Sequence, residues 1–398
     1  MSENTTDIVI VGAGASGLLA AVAARRLGHE VLVIEADDRV GGATALSDGI
    51  MWLPAAEGGR GGSDSVEDAR AYLDAVLGAP TLASTPARRD AFVRTSPLLA
   101  KWLRSSKITL TPVKGLPDYD QSAPGARRQG RSLQTPPVDK SKLGDWAARI
   151  KDTPDAGGPR SPREMATAVT SAAWRLFRRK ELSSGGTTLV AELLRRAVGS
   201  GVTLWLGTTF TGLIEEDGVV VGVSVQREGA SVEVRSGRGV LLACGGFEAS
   251  QDLRGEYLPL PTDAAWSTTG VANRGAGLSA ATEIGAAAIA MDDAWWSPTI
   301  ICEGVGHPID RERSLPHGVI VDQAGDRFFN EAAPGTIAGR MIYERNRGMR
   351  AVPSYLILDN RHRQKYSLGP WPAGVTPRRA LDAGEVVKAN TLIDLAQK

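Results

Sequence analysis

The amino-acid sequence predicts an α/β fold in which a Rossmann-like domain, built on a parallel sheet with a β-meander, carries an inserted α+β domain. Three observations lead to this prediction. Residues 7–34 follow the order strand, glycine-rich turn, helix and strand, which is one βαβ unit. Residues 239–243 form another short apolar run, typical of a sheet that is covered on both faces. From about Trp295 the composition changes to short strands, prolines and scattered arginines.

The composition is that of an ordinary globular protein. The 398 residues are 42% hydrophobic and 23% charged, so the chain can bury a sizeable core. Because 46 Lys and Arg residues oppose 45 Asp and Glu residues, the net charge is +1. Without a strong positive field, a nucleic-acid partner is not expected.

Cysteine usage and apolar runs set the expected location. Cys244 and Cys302 are the two cysteines, too few for a disulfide framework, which favours a reducing, cytoplasmic location. No run approaches the roughly 20 apolar residues of a membrane-spanning helix, and the polar residues 1–7 lack the pattern of a signal peptide. We therefore expect neither export nor integral membrane contact.

The beginning of the chain alternates strand and helix signals. Residues 8–11 and 31–34 are short β-branched apolar runs, and residues 18–27 carry the apolar spacing of a helix. Two more helices are predicted at 65–78 and 88–105, the first opened by a serine with acidic residues in its first turn. We expect these two helices to be scaffold.

Residues from about 60 to 180 interrupt that alternation. Within them, 112–162 are rich in Pro, Gly, Arg and Ser and lack any period, apart from a possible short helix around 142–150. This stretch is predicted to be a functional excursion or a partly disordered loop. A helix is predicted at 189–198.

Strands separated by turns follow that helix. After an apolar run at 202–206, turn residues at 215–218 and 227–229 separate the β-branched runs 219–225 and 231–235. Runs of this length around tight turns predict a meander.

The strongest chemical signal is the turn Gly12-Ala13-Gly14-Ala15-Ser16-Gly17 between the first strand and helix. Gly12 permits the tight turn, Gly14 lets a pyrophosphate approach the backbone, and Gly17 brings the helix close to the strand. Glu35 follows 18 residues after Gly17, where an acid accepts hydrogen bonds from a ribose and repels the extra phosphate of NADP. Together these features predict dinucleotide binding; the alternative is a glycine turn that only packs.

A second glycine pair favours FAD over NAD. Asp38-Arg39-Val40-Gly41-Gly42-Ala43-Thr44 comes just after Glu35, and its small residues let the chain run along an extended cofactor. The stretch EADDRVGGATALSDGIMWLP resembles the flavoprotein family that includes fumarate reductase flavoprotein subunits and 3-ketosteroid Δ1-dehydrogenases. Its ending, Trp52-Leu53-Pro54, is most similar to the ketosteroid branch.

Further segments resemble this family, in the family's order and over essentially the whole chain. They are LLACGGFE at 241–248, RGEYLP at 254–259, LPHGVIVD at 315–322, GDRFFNE at 325–331, YLILDNRHRQKY at 355–366 and the final VVKANTLIDLAQK.

The resemblance implies an FAD-dependent oxidoreductase that acts on CH–CH groups. Its expected substrate is a 3-ketosteroid or a similar apolar ketone, whose hydride passes to flavin N5, and an external electron acceptor is expected as partner. The glycine motif and the resemblance together assign these residues to the cofactor: Gly12, Gly14, Ala15, Ser16, Gly17, Glu35, Ala36, Gly41, Gly42, Ala43, Thr44, Ser47, Gly49, Ala243, Gly245, Gly246 and Asn273.

Tyr119 is the candidate catalytic residue. Its surroundings, Leu116-Pro117-Asp118-Tyr119 with Gly125 and Gly130-Arg131-Ser132-Leu133 downstream, are similar to those of a family active-site tyrosine. A tyrosine suits a steroid pocket because it offers an aromatic wall with one polar tip. The alternative is an ordinary surface-loop tyrosine.

The chain departs from the family at three places. Gly335 stands where the family carries its proton-abstracting tyrosine, so that phenol is missing, and Tyr343 is expected to pack on its helix instead. Ala276 replaces an acid expected near the cofactor. The chain ends at Lys398, whereas the family continues, so we expect a C-terminally truncated chain, an incomplete return to the FAD domain and an incomplete flavin site.

Other chemistries have little support in the sequence. The histidines His29, His307, His317 and His362 are never within four residues of one another, so no metal site is predicted. His317 and His362 are expected to be surface or strand residues. No serine has the G-x-S-x-G spacing of a hydrolase nucleophile.

Two further residue types allow more than one interpretation. Cys244 stands where the family usually has Thr, and as a small, half-apolar residue it is predicted to pack rather than to react. The pair Trp295-Trp296 predicts either the wall of an apolar pocket or plain core.

We therefore predict an FAD-binding domain over residues 1–277, with the excursion at about 60–180, and a substrate domain over 278–398. Two alternatives stay open for the function: another FAD-dependent dehydrogenase or reductase of the same family, or a truncated homologue without activity. The oligomeric state is not predicted.

Overall fold

The computed structural model describes residues 4–56, 64–152, 182–269 and 272–398. The part of the predicted excursion that falls on 153–180 lies outside the described residues.

The helices and strands before residue 250 carry labels in chain order. They are β1 (Thr5–Val11), α1 (Ala15–Arg26), β2 (Val31–Ile34), α2 (Gly42–Leu46), β3 (Met51–Trp52), α3 (Val66–Leu77), α4 (Pro86–Ser105), β4 (Thr111–Pro112), β5 (Ser132–Gln134), α5 (Gly185–Gly199), β6 (Thr203–Trp205), β7 (Thr208–Glu216), β8 (Val219–Arg227) and β9 (Ala230–Leu242).

The elements after residue 250 are mostly short. They are α6 (Gln251–Tyr257), α7 (Ala276–Glu283), β10 (Thr299–Cys302), β11 (Val305–Pro308), β12 (Gly318–Val321), α8 (Gly335–Asn346), β13 (Tyr355–Leu358), α9 (Asn360–Lys365), α10 (Arg378–Asp382) and α11 (Leu392–Ala396).

The chain divides into two compact units. Of the described residues, the first unit contains 4–56, 64–152, 182–247, 269 and 272–290, and the second contains 248–268 and 291–398. This division differs from the boundary expected at residue 277. Ala280 of α7 packs into the core of the first unit, whereas the backbone carbonyl of Trp266 lies against Gly306 of β11 in the second unit.

The first unit is built on a six-stranded sheet in the order β6-β2-β1-β9-β8-β7. Strands β6, β2, β1 and β9 are parallel to one another, and β9, β8 and β7 form an antiparallel meander. The prediction of a parallel sheet with a β-meander is therefore confirmed.

Both faces of the parallel half of the sheet are buried. Ile10 and Val33 belong to one apolar cluster together with Leu18 of α1 and Leu194 of α5. The alternate residues Val9 and Val11, for example, belong to a second cluster on the other face. This double burial explains why these strands are continuous apolar runs without alternation.

Two local predictions differ from the structure. The separate strands expected at 231–235 and 239–243 are one strand, β9, because its first half pairs with β8 and its second half, from Arg235 onward, pairs with β1. At the register shift in the second pairing, Ser236 Oγ accepts a 2.9 Å hydrogen bond from Gly239 N–H. The helix expected around 142–150 is a pair of 3-10 turns within Lys140–Arg149, separated by the left-handed Gly144.

The predicted scaffold helices are confirmed as α3 and α4. Ser65 caps α3 by accepting a hydrogen bond from Asp68 N–H, and Glu67 and Asp68 occupy the first turn. Next to these helices, β3, β5 and β4 form a small antiparallel sheet.

The second unit contains two small antiparallel sheets, β10-β11 and β12-β13. Ile320 of β12 and Ala338 of α8 are buried in one cluster, so the helix covers this strand pair. None of the helices in the described ranges is long and apolar enough to cross a membrane.

Candidate functional site

The turn between β1 and α1 is the centre of the candidate site, and two of its glycines are required by packing. Gly12 has φ +106°, and a Cβ there would lie 2.9 Å from Cys244 Cα. A Cβ on Gly17 would collide with the carbonyl of Gly12. Any side chain at either position would separate α1 and the 243–246 segment from β1.

Gly14 differs from these two glycines because a Cβ there would meet its neighbours only at ordinary van der Waals distance. The nearest atoms to a Cβ there would be Thr44 Oγ1 at 3.8 Å and Gly41 O at 3.9 Å. Across this space, a Cβ on Gly42 would come no closer than 3.9 Å, to Gly14 Cα. Two glycine backbones therefore line a groove that side chains would fill.

The groove lies at the N-terminus of α1. Gly14 is the N-cap, no side chain caps it, and the first turn has no acidic residue. Ala15 N–H donates a 3.2 Å hydrogen bond to Thr44 Oγ1. A helix N-terminus with this composition favours an anionic group, so the residues present fit the diphosphate of a dinucleotide such as FAD.

Glu35, the predicted ribose acceptor, is almost fully buried at the end of β2, with 8% of its surface exposed. Its Oε2 accepts a 2.9 Å bond from Ala13 N–H, and its Oε1 accepts a 3.0 Å bond from Asp37 N–H. The carboxylate therefore also holds the glycine turn in place. Each oxygen keeps a second lone pair with which it can accept a ribose hydroxyl.

The segment that begins at Gly41 packs against the start of α5. Gly41 N–H donates a 3.0 Å bond to Ala13 O. Gly186 N–H donates a 2.8 Å bond to Ser47 O, and a Cβ on Gly49 would lie 2.7 Å from Gly186 Cα. Ala36, Ala43 and Ser47 are exposed beside these contacts.

Gly185 and Gly186 are site residues that sequence reasoning missed. A Cβ on Gly186 would collide with Thr44 O, so a glycine is needed for α5 to approach the cofactor segment. The available signal was a glycine pair directly in front of a predicted helix.

The 243–246 segment closes another side of the turn. Ala243 N–H donates a 2.8 Å bond to Val11 O, and Gly275 N–H donates a 3.1 Å bond to Gly246 O. A Cβ on Gly245, at φ +81°, would lie 2.9 Å from Asn273 Oδ1. The structure thus brings together, within the first unit, the segments that contain the predicted cofactor residues. These residues are Gly12, Gly14–Gly17, Glu35, Ala36, Gly41–Thr44, Ser47, Gly49, Ala243, Gly245, Gly246 and Asn273.

Cys244 lies beside this site but is a packing residue. Its Sγ fills the space where a Cβ on Gly277 would be, and it packs against the apolar cluster of the sheet. Burial raises the pKa of the Cys244 thiol, and the charge of Glu35 raises it further. A thiol held neutral in this way is a poor nucleophile.

Tyr119 lies on the loop between β4 and β5 and is exposed over 68% of its surface. The residue before it, Asp118, is buried and accepts a 2.7 Å hydrogen bond from the indole Nε1 of Trp52. Trp52 is in β3, which starts two residues after Gly49. The loop of Tyr119 is therefore attached to the strand that continues the cofactor segment.

Gly335, where the family pattern has a tyrosine, has no room for a side chain. It is the first residue of α8, and a Cβ there would lie 2.6 Å from Asp310 Oδ1 and 2.9 Å from Trp296 O. Trp296 also lies directly on Gly339, one turn later. The two glycines form a flat face of α8 on which Trp296 packs.

Trp295 and Trp296 have different surroundings, so the pair as a whole is neither the wall of an apolar pocket nor plain core. Trp296 packs on α8, and its Nε1 donates a 2.9 Å bond to Asp293, whereas Trp295 is 87% exposed. Tyr343 lies on α8 with its ring centroid 5.0 Å from that of Trp296, as expected for a helix-packing residue. Its hydroxyl donates a 3.0 Å bond to Pro261 O.

The expectation for His362 is wrong. The side chain is on helix α9 and is completely buried, and its Nε2 lies 3.0 Å from Glu312 O. The periodicity of this short helix gave no sign that a histidine would face inward. The described part of the chain contains no cluster of three or more His, Cys, Asp or Glu side chains that could hold a metal ion.

Comparison with known proteins agrees with the geometry of the groove. The pattern of a family described as "FAD binding domain" matches residues 7–388. A 3-oxosteroid 1-dehydrogenase of Mycobacterium tuberculosis (strain ATCC 25618 / H37Rv) is 35% identical over 433 aligned positions, covering 100% of this chain and 76% of that protein.

Two further relatives extend the comparison. A 4-oxocyclohex-2-ene-1-carboxylate 5-dehydrogenase of Sinomonas cyclohexanicum is 30% identical, covering 98% of this chain and 72% of that protein. The crystal structure of 3-ketosteroid Δ1-dehydrogenase from Sterolibacterium denitrificans, in complex with 1,4-androstadiene-3,17-dione, has a TM-score of 0.87 and 34% identity, covering 95% of this chain and 73% of that one. The chain therefore belongs to the family of FAD-binding oxidoreductases that includes the 3-oxosteroid 1-dehydrogenases.

Proposed function

We propose that the protein dehydrogenates a 3-ketosteroid at the carbon–carbon bond beside its ketone, with FAD as cofactor. The observation that carries this proposal is the groove between Gly14 and Gly42, which is lined by backbone and lies at the N-terminus of α1, where the N-cap glycine has no capping side chain. The steroid comes from the relatives: the similar structure contains 1,4-androstadiene-3,17-dione, which is the product type of such a reaction.

The first unit would hold the cofactor. We assign the diphosphate to the turn at 12–17 and to Gly42, and the ribose to Glu35, while 243–246 and Asn273 would face the rest of the cofactor. The backbone N–H groups at the start of α1 would bind the phosphate oxygens, since they are aligned with the positive end of the helix dipole. We propose that the second unit contributes the substrate domain.

The reaction removes one hydride and one proton from neighbouring carbons of the substrate. When bound, FAD supplies the acceptor for the hydride, and an external electron acceptor then takes up the electrons. We assign Tyr119 to the substrate, because it is an exposed phenol on a loop attached to the cofactor segment. Its hydroxyl would contact the polar end of an otherwise apolar substrate.

Gly335 stands where the family pattern has its proton-abstracting tyrosine, so in this chain another residue must take the substrate proton. Asp310 and the backbone of Trp296 occupy the space in which a side chain at 335 would begin, so no phenol can act from this position. We propose that Tyr119 is the tyrosine on which the proton chemistry of this chain depends.

We also propose a reducing, cytoplasmic location for the protein. Cys244 and Cys302 are both free thiols. Cysteines without a disulfide are typical of proteins in a reducing compartment.

Product analysis tests the proposed substrate class. The protein is supplied with FAD, an artificial electron acceptor and either 4-androstene-3,17-dione or the monocyclic 4-oxocyclohex-2-ene-1-carboxylate. We expect the steroid to lose one pair of hydrogen atoms and to yield 1,4-androstadiene-3,17-dione. If the protein turns over the monocyclic acid alone, the proposed substrate changes from a steroid to a smaller ketone. If it turns over neither compound, the proposal is rejected.

A further inference from the structure

The base of the Tyr119 loop contains a buried arginine between two carboxylates. Arg131 is 2% exposed. Its Nε donates a 2.9 Å bond to Asp64 Oδ2 and its Nη2 a 2.7 Å bond to Asp64 Oδ1, while its Nη1 donates a 2.8 Å bond to Asp118 Oδ2. The guanidinium also lies 5.7 Å and 5.6 Å from the ring centroids of Trp52 and Tyr72.

The positive charge of Arg131 and the carboxylates around it influence one another's pKa. Burial alone would lower the pKa of Arg131, but the hydrogen bonds and charges of Asp64 and Asp118 outweigh it and raise that pKa. Burial likewise acts to raise the pKa of Asp64, but Arg131 and the N–H of Ala55 lower it overall. Arg131 and Asp64 therefore stay charged at neutral pH.

Asp118 is fixed from several directions. Besides Arg131, its carboxylate accepts the 2.7 Å bond from Trp52 Nε1 and a 2.9 Å bond from Arg127 N–H. Its own N–H donates a 2.9 Å bond to Arg127 O. A carboxylate with these contacts can hardly shift without breaking a buried charged hydrogen bond.

The residue after Tyr119 is fixed as well. Asp120 N–H donates a 3.2 Å bond to Tyr72 Oη, on α3. Further along the loop, Gly125 lies so close to Asp68 of α3 that a Cβ there would collide with its carbonyl. Tyr119, whose side chain is exposed, therefore lies between two anchored neighbours.

Stability alone is a weak reason for such a cluster. Replacing a buried ion pair by apolar residues is often neutral or stabilising, because charges lose much hydration energy on burial. A buried pair does fix the geometry of the groups attached to it, however, since removing one partner leaves an uncompensated charge. Asp118 and Arg131 are placed where that rigidity would act on Tyr119.

We propose that Asp118, held by Arg131, is a positioning residue that orients the phenol of Tyr119 toward the substrate. This inference rests on the proposed function, in which Tyr119 contacts the substrate. The cluster also connects Tyr119 to β3 through Trp52, and so sets its place relative to the segment at 41–49 that holds the cofactor. A misplaced catalytic group costs turnover rather than substrate affinity.

The test compares Asp118→Asn with Tyr119→Phe and with both changes together, in the FAD-loaded protein. The D118N change keeps the shape of the side chain but removes the charge that Arg131 binds. We expect D118N to lower kcat by about tenfold to a hundredfold with little change in KM. In the Y119F background, D118N should have almost no further effect, because the group it orients is absent.

Asp74→Asn is the matched control. Asp74 accepts a 3.0 Å bond from Arg89, another buried arginine in the same unit, and its other side-chain partner is Arg70 rather than a residue of the Tyr119 loop. We expect D74N to lower the melting temperature without changing kcat. If D74N lowers kcat as much as D118N does, general loss of stability explains both and the proposal fails.

A second measurement is independent of the cofactor and of turnover. The protein contains six tyrosines, and the fluorine NMR signal of Tyr119 in protein labelled with 3-fluorotyrosine is assigned by its loss in Y119F. D118N should shift or broaden this signal, and D74N should leave it in place. An unchanged signal in D118N would overturn the positioning role.

The outcomes separate the two proposals. Wild-type turnover in Y119F would reject the catalytic assignment of Tyr119 and thus part of the proposed function. Impaired Y119F together with wild-type D118N, or with fully additive losses in the double variant, would reject the positioning role alone.

Discussion

The indole of Trp52 donates a 2.7 Å hydrogen bond to the carboxylate of Asp118, 66 residues further along the chain. The bond joins two segments that sequence reasoning had assigned to different tasks, the end of the cofactor segment and the loop of the candidate catalytic tyrosine. It attaches the loop of Tyr119 to strand β3.

Gly14→Ala should separate cofactor binding from folding. The backbone of Gly14 has φ −77°, which alanine adopts readily, and a Cβ there would have its nearest neighbour at 3.8 Å. The variant should therefore melt like the wild type without FAD, while FAD affinity falls by roughly tenfold or more because the methyl group enters the groove. Calorimetric titration with FAD measures the loss.

Gly17→Ala should give the opposite result. Its Cβ would collide with Gly12 O, so the free energy of unfolding should fall by about 1–3 kcal/mol even without cofactor. Gly199→Ala is the control, because that helical glycine has no atom within 4 Å of the added methyl group, and the change should be neutral or slightly stabilising. Equal stability of G14A and G17A would contradict the claim that Gly17 is needed for packing whereas Gly14 is needed for cofactor binding.

Gly335→Ala should destabilise the protein although alanine favours helices. The added methyl group would lie 2.6 Å from Asp310 Oδ1 and 2.9 Å from Trp296 O, at a cost of about 1–3 kcal/mol. Gly348→Ala, with open space around its Cβ, should change stability by less than about 0.5 kcal/mol. Chemical denaturation of both variants measures these changes. A stabilised G335A would mean that Asp310 and Trp296 leave room for a methyl group at position 335.

Stability should fall below neutral pH because of His362. Burial lowers the pKa of this imidazole below its ordinary 6.5, so the unfolded chain takes up a proton before the folded protein does. The stabilisation is complete above about pH 6.5 and is lost as the pH falls from there toward the lowered folded value. In His362→Gln the melting temperature should depend less on pH in this range than it does in the wild type, and an unchanged pH dependence would contradict this role of His362.

Cys244→Ala should retain both flavin and turnover. Burial raises the pKa of this thiol, and its Sγ serves to fill space beside Gly277, so its removal costs packing but no chemistry. Iodoacetamide should label Cys244 slowly in the native protein and rapidly after denaturation. Loss of turnover in C244A with flavin still bound would show that the thiol takes part in the reaction.

The sequence was sufficient for the parts of the fold that local chemistry determines. The turn at Gly12 was predictable because a positive φ, a strand and a helix must coincide there. The meander was predictable from turn residues such as Asp217 and Glu228, both at positive φ in the structure. The full length of β9 was not predictable, because the residues between the two predicted runs join the strand through their pairing with β1.

Long-range pairs were beyond prediction. The bonds from Arg131 to Asp64 span 67 residues, and no periodicity marks either partner. The close approach of Gly186 to Thr44 similarly depends on how α5 packs. The candidate cofactor residues were found from the sequence because they lie in short motifs, whereas the residues that hold Tyr119 became visible through the structure alone.

The most direct test of the account is an anaerobic titration of the FAD-loaded protein with 4-androstene-3,17-dione, followed by the visible absorption of the flavin. We expect the steroid to bleach the bound flavin and an added electron acceptor to restore it, with much slower bleaching in Tyr119→Phe. A flavin that binds but keeps its oxidised spectrum with excess steroid would contradict the proposed dehydrogenation.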